Sequence, residues 1–177
     1  MARYNHCQNR QLYALADQLP DTARRRELGM CFGSVHNLFN HMLWDDMTLM
    51  HCLADGPRPE VSTVRTSVFM ETGWAALKSR HDKFAQRICE WADGVDTEWL
   101  SGVALWRSAA AQESALRSRA MLVMQLFNHQ THHRGQLHVM LSQLGVATPH
   151  TDVCFISTAD NTKNTTSVDY KSQQSVR

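Results

Sequence analysis

An all-α protein, a bundle of long helices, is what this sequence predicts, and three observations carry the prediction. Apolar residues recur every three or four positions over several long stretches. Proline and glycine signals separate those stretches. The chain has 177 residues, 43% of them hydrophobic, which suits one domain with a real core.

The first helix is expected over Ala2 to Leu19, where Tyr4, Leu12, Leu15 and Leu19 supply a partly apolar face and Pro20 closes it. Ser34 is a candidate cap for a second helix running to about Ala54, and Asp55-Gly56-Pro57-Arg58-Pro59 is the clearest break in the chain. A third helix is expected from Thr72 to Asp93, on Trp74, Leu77, Phe84, Ile88 and Trp91, ending at Gly94. The stretch 95–111 reads as irregular or as a small hairpin. From about Gln112 to Leu144 a helical pattern runs without proline until Gly145 and Pro149 stop it. Gly135 inside that helix costs about 1 kcal/mol relative to alanine, so a neighbouring helix or ligand is expected close to it. Beyond Ile156 the composition turns polar, so the domain is expected over 1–156 and a flexible tail over 157–177.

Eighteen basic and seventeen acidic side chains leave a formal charge of +1. There is no basic stripe of the kind that neutralises phosphates, so no nucleic-acid partner is expected. The run Arg24-Arg25-Arg26 reads as a solvated surface. The amino terminus is polar and no apolar run approaches membrane-spanning length, so no membrane partner and a cytoplasmic location are expected. Cys7, Cys31, Cys52, Cys89 and Cys154 are an odd, scattered set without a Cys-x-x-Cys unit, as for reduced thiols.

The chemistry concentrates in Asn128-His129-Gln130-Thr131-His132-His133-Arg134-Gly135-Gln136. A spacing of four puts His129 and His133 on one helix face, on the same stripe as Leu122, Leu126, Leu137, Met140 and Leu144. Imidazoles in a core-facing stripe need partners, and either a shared cation or buried hydrogen bonds would supply them. His41 is the best third donor, because Val35, Leu38, Met42 and Leu49 place it in an apolar helical pattern too. Three protein ligands leave coordination positions open to water or substrate, as reactive sites do.

Zinc proteases carry glutamate directly after the first histidine of such a pair; here that position is Gln130, an amide that cannot act as a base. His132, about 100° round the helix from His133, is a pocket or helix-contact candidate, and His138 projects to the opposite face. Asp45 and Asp46 could orient a ligand or bind the cation, although solvation is the commoner fate of helical aspartates. Gln136 lies near the histidine face, and Arg134 points farther round in a structural position. The cysteines read as small buried hydrophobes.

This pattern resembles the DinB family, grouped with the YfiT-like metal-dependent hydrolases. The resemblance runs from Ala2 to about Phe155. It rests most on the 128–136 motif, with Gly33-Ser34 ahead of Asn40-His41 and Asp46, Ala2-Arg3-Tyr4-Asn5 near the start and Thr151-Asp152 near the end. It implies a four-helix bundle of up-and-down topology with a long crossover, a divalent metal held by His41, His129 and His133, and homodimers. Imidazole ligands suit zinc, nickel, copper and iron, with zinc or nickel expected first. Members with known activity include thiol-dependent isomerases and S-transferases. Cys7-Gln8 departs from the Trp-Ala usual after Tyr-Asn-x in relatives.

The expected function is therefore a metal-dependent enzyme that activates water or a low-molecular-weight thiol against a small-molecule substrate, a thiol transferase or hydrolase. The alternative is a stress-linked metal-binding module without turnover.

Overall fold

The computed structural model describes residues 1–108 and 113–153; Cys154 and the polar segment 157–177 lie outside the described residues. Helix α1, Ala2–Ala16, buries Leu12, Tyr13 and Ala16 together with the polar Asn5, Gln8 and Asn9. It ends three residues before the expected Leu19, and a short α2 follows over Asp21–Arg24. Helix α3 spans Val35–Ala54, and the Ser34 hydroxyl accepts from the Asn37 amide at 3.2 Å, satisfying one of the donors that a helix start leaves open. A 3-10 turn at Ser67–Phe69 precedes helix α4, Trp74–Asp93. Then come the short α5, Thr97–Leu100, strands β1, Val103–Ser108, and β2, Glu113–Ser118, and the long α6, Arg119–Gln143.

The four long helices share one core. Both α1 and α3 touch both α4 and α6. Leu12, Leu38, Phe39, Met42, Leu43, Leu49, Leu77, Ile88, Leu126, Leu137, Met140 and Leu141 are all essentially inaccessible to solvent. Each such side chain contributes about 1.5–3 kcal/mol when removed from water. Phe39 stacks on Tyr13 with centroids 3.9 Å apart and meets Trp74 edge-on at 5.6 Å, which ties α1, α3 and α4 together.

The hairpin departs from expectation. Glu113–Ser118 is a strand antiparallel to β1, with Leu105 opposite Leu116 and Trp106 opposite Ala115, and not the first turns of the last helix. Alanine, leucine, glutamate and arginine here favour helix by themselves, but pairing with β1 overrides that weak preference. Ala104 and Trp106 turn inward against the core, while Val103, Leu105 and Leu116 face outward. The capped turn of α5, where the Asp96 carboxylate accepts from the Trp99 amide at 2.7 Å, was also not foreseen within 95–111.

Two smaller expectations fail. Arg24 is buried, not solvated: its guanidinium lies 4.8 Å over the Trp74 ring and donates to the Ala16 carbonyl at 3.2 Å. No neighbour crowds Gly135, since a Cβ there would meet nothing within 4 Å. Gly135→Ala is accordingly expected to raise stability by about 1 kcal/mol, read as a higher urea midpoint at unchanged slope. Among the described residues, no helix is long and apolar enough to cross a membrane.

Candidate metal centre

Helix α3 delivers one imidazole and α6 delivers two. His41 follows directly on the buried Asn40 in the packed middle of α3, and α3 lies against α6 along the stripe of Leu122, Leu126, Leu137 and Met140. Nitrogens of His41, His129 and His133 all lie within 4.8 Å of one another. His133 Nε2 is 2.9 Å from His129 Nε2, and His41 Nε2 is 3.3 Å from the same atom. Two nitrogens held at about 2.0–2.1 Å from one tetrahedral zinc would stand roughly 3.3 Å apart.

The protons decide what these contacts are. His41 Nδ1 is 2.9 Å from the Ser67 hydroxyl, which itself donates to the Val64 carbonyl at 2.6 Å. With its single proton so used, the hydroxyl must accept, and His41 carries its hydrogen on Nδ1. His133 Nδ1 lies 2.7 Å from the Gln136 amide oxygen, an acceptor, so the same tautomer follows. Gln136 in turn donates from Nε2 to His132 Nε2 at 3.2 Å. His129 Nδ1 faces Asp45 Oδ2 at 2.9 Å, a close contact bent away from hydrogen-bond alignment. His41 and His133 thus keep their protons on the outer side and turn the lone pairs of their inner nitrogens toward His129 Nε2. This is the arrangement in which outer partners set the tautomer of a ligating histidine. The donors fit a divalent cation, and the three histidines could hold one.

Burial reinforces the neutral state. It pushes His41 down to about 3, helped by the two neighbouring imidazoles, and His133 down to about 4, helped by His129. Phe32 covers the pair, stacked on His41 at 3.9 Å and edge-on to His133 at 5.7 Å. It does so from a backbone φ of 66°, which a bulky residue rarely adopts, within a turn flanked by Gly29 at 69° and Gly33 at 77°.

Asp45 and Asp46 are both buried, against the expectation of solvated carboxylates. Asp45 joins the triad through His129. Asp46 lies deeper, 3.8 Å from the inaccessible His81, and burial lifts its carboxyl well above the usual range. His132 is exposed on the rim, and Gln136 stands between it and His133. Gln130 is inaccessible and accepts from Asn9 of α1 at 3.1 Å, so its amide joins helices. Arg134 is likewise structural, with its guanidinium against Asn5 and 5.4 Å over the Tyr4 ring. Cys7, Cys31, Cys52 and Cys89 are free thiols, and none joins the triad among the described residues. Ser67 and Phe32 escaped sequence reasoning. The only trace of Phe32 is the pair of glycines around it, and nothing in the spacing marks Ser67.

The DinB family model matches residues 1–166. This chain belongs to the DinB family. Comparison with curated proteins and with solved structures finds no significant match. The matched range includes the three histidines that converge.

A pocket of about 510 Å³ opens onto His41, Asp45 and His129, with Trp44, Trp106 and Arg117 on its walls. A smaller groove of about 320 Å³ between α1 and α4, lined by His6, Tyr13 and His81, is separate from it.

His41, His133 and His81, the last also held at about 4 by burial, share one pH consequence. Each binds a proton more weakly in the folded protein than the roughly 6.5 of a free imidazole, so the unfolded chain takes up protons first. Stability is full above about pH 6.5 and falls progressively from there toward pH 4. Chemical denaturation of chelator-treated protein at pH 7.5 and pH 5 checks this; a midpoint unchanged or higher at pH 5 would refute it.

Proposed function

We propose that this DinB-family protein holds a divalent cation, zinc or nickel, through His41, His129 and His133, and uses it as an enzyme. The carrying observation is the convergence of the three imidazoles, with His41 and His133 oriented by outer hydrogen bonds to Ser67 and Gln136 and His129 facing Asp45. A cation bound by three protein donors keeps positions free and lowers the pKa of a water or thiol that takes one.

The chain's own residues supply the rest. Asp45 faces His129 and lines the pocket, where its carboxylate can receive a proton from a substrate group. Trp44 and Trp106 give the pocket apolar walls that exclude water from one side. Phe32 closes the opposite side over His41 and His133. A small molecule entering the pocket meets His41 and His129 on its lining. The reaction class this supports is transfer or hydrolysis, with water or a low-molecular-weight thiol as nucleophile. A sealed ion would favour the module without turnover; His129 retains 17% side-chain exposure and the pocket reaches solvent, which favours the enzyme.

The topology proposed is an up-and-down four-helix bundle with a long crossover; the helix contacts set α1 diagonal to α3 and α4 diagonal to α6, so the connections between those helices cross the bundle. A homodimer and a cytoplasmic location complete the proposal. The outward Val103, Leu105, Leu116, Met121 and Met124 are all substantially exposed and offer an apolar face for the second copy.

Elemental analysis of protein purified without an affinity tag or added metal tests the first step; a ratio near zero after dialysis against zinc and nickel would defeat it. Asp45→Asn is expected to weaken metal affinity about 10–100-fold, the usual cost of losing an outer partner. Competition with a chromogenic chelator reads that change, and an unaltered affinity would remove Asp45 from the site.

A further inference from the structure

Most arginines of this chain that carry a described ion pair meet a carboxylate closely: Arg3 with Asp93 at 2.8 Å, Arg25 with Asp21 at 2.7 Å, Arg80 with Glu60 at 2.6 Å. Arg58, Arg107 and Arg119 have none within ion-pair distance among the described residues, and they line the same hollow of about 580 Å³. Two of them are held in place. Arg58 Nε donates to His51 Nε2 at 2.8 Å, and His51 Nδ1 lies 2.7 Å from the Gly56 carbonyl oxygen. The carbonyl can only accept, so His51 is neutral and spends both nitrogens on positioning the guanidinium. Arg119 donates to the Trp99 carbonyl at 3.3 Å and lies 4.8 Å over the Trp99 ring. Both contacts leave the charge uncancelled. Asp55 is the one carboxylate among the lining residues, so the hollow carries a net charge of about +2 at neutral pH.

The hollow adjoins the pocket of the imidazoles, for Trp44 and Thr48 line both. Strand β1 separates them, with Trp106 on the pocket side and Arg107 on the hollow side. Three guanidiniums against a single carboxylate, in one concave site, favour oxyanions through charge-assisted, bidentate hydrogen bonds.

We propose that this hollow is an oxyanion subsite, binding a carboxylate or phosphate of the small molecule whose reactive end lies among His41, His129 and His133. The link to the reactive end rests on the proposed metal function. Anion binding by the hollow itself needs none of the three imidazoles of the triad.

Calorimetric titration of the full chain with inorganic phosphate and, separately, with glutarate at constant ionic strength tests it. Saturable binding of one or both is expected, and the tighter of the two identifies the oxyanion. Arg107→Gln, an exposed strand position, and Arg58→Gln are each expected to weaken that binding about tenfold or more, the loss of one charge-assisted contact. Arg26→Gln, exposed and outside both cavities, makes the same change in net charge and is expected to leave it unaltered. No saturable binding of either anion, or equal weakening in the Arg26 and Arg107 variants, overturns the proposal. Binding that persists in His133→Ala supports it. Wild-type protein that binds anion but never takes up metal defeats the metal function and leaves the subsite standing.

Discussion

His133→Ala protein is expected to lose metal binding by more than about a hundredfold while retaining its helices. Losing an outer partner alone costs about 10–100-fold, and this substitution removes a donor outright. It also leaves His129 Nε2 without the nitrogen 2.9 Å away and frees the Gln136 amide that His133 engages at 2.7 Å. The helix itself should survive, because Leu126, Leu137, Met140 and Leu141 anchor α6 independently and alanine is the best helix former. Metal content by mass spectrometry and far-ultraviolet circular dichroism together decide the matter. Full metal occupancy with native helicity would mean that the triad is not the binding site. His132→Ala is the internal comparison: that ring is exposed and meets the triad only from outside, edge-on to His133 at 4.9 Å and through Gln136, so its loss should change affinity far less.

Phe39→Ala is expected to be the most destabilising single change in the core, at about 3–5 kcal/mol. The ring has no exposed surface, stacks on Tyr13 at 3.9 Å and abuts Trp74 at 5.6 Å, so no one helix can collapse into the space it leaves. At roughly 2–4 °C per kcal/mol for a chain of this size, the melting temperature should drop by about 6–20 °C. Phe39 lies two positions before His41 on α3 but contacts none of the triad residues described. Protein that remains folded at low temperature should therefore still take up metal, which separates loss of the frame from loss of the site. A drop of only a degree or two would place Phe39 outside the core's supporting contacts.

The two variants probe parts of the molecule that differ in how legible they are from sequence. The spacing of His129 and His133 puts both rings on one face of α6 wherever that helix packs. The apolar stripe around them names the face, and Leu122, Leu126, Leu137 and Met140 are indeed buried there. Ser34 ahead of α3 and the break at 55–59 are equally local, and the helix begins and ends as they indicate. Family membership, read from the 128–136 motif and the residues around His41, has the same local origin and extends over 1–166.

Other features have no local signature. The segment 113–118 favours a helix by composition and becomes a strand because β1 lies beside it. Asp45 and Asp46 look alike in the chain, yet one faces His129 and the other His81. The crossing of α3 with its neighbours assigns those sides. The Ser67 hydroxyl that sets the His41 tautomer comes from a short turn 26 residues away. The arginine hollow draws on the 55–59 break, the hairpin and the start of α6, three places with no common pattern.

Most of the helix positions, the helix faces and the candidate donor residues were thus legible in the sequence alone, since periodicity and capping act within a dozen residues. Only the tertiary structure decided which way each donor's proton points, what orients it and what shape of pocket it meets. Those depend on side chains brought together from distant segments, and a hydrogen bond or an uncancelled charge exists only once both partners have been placed.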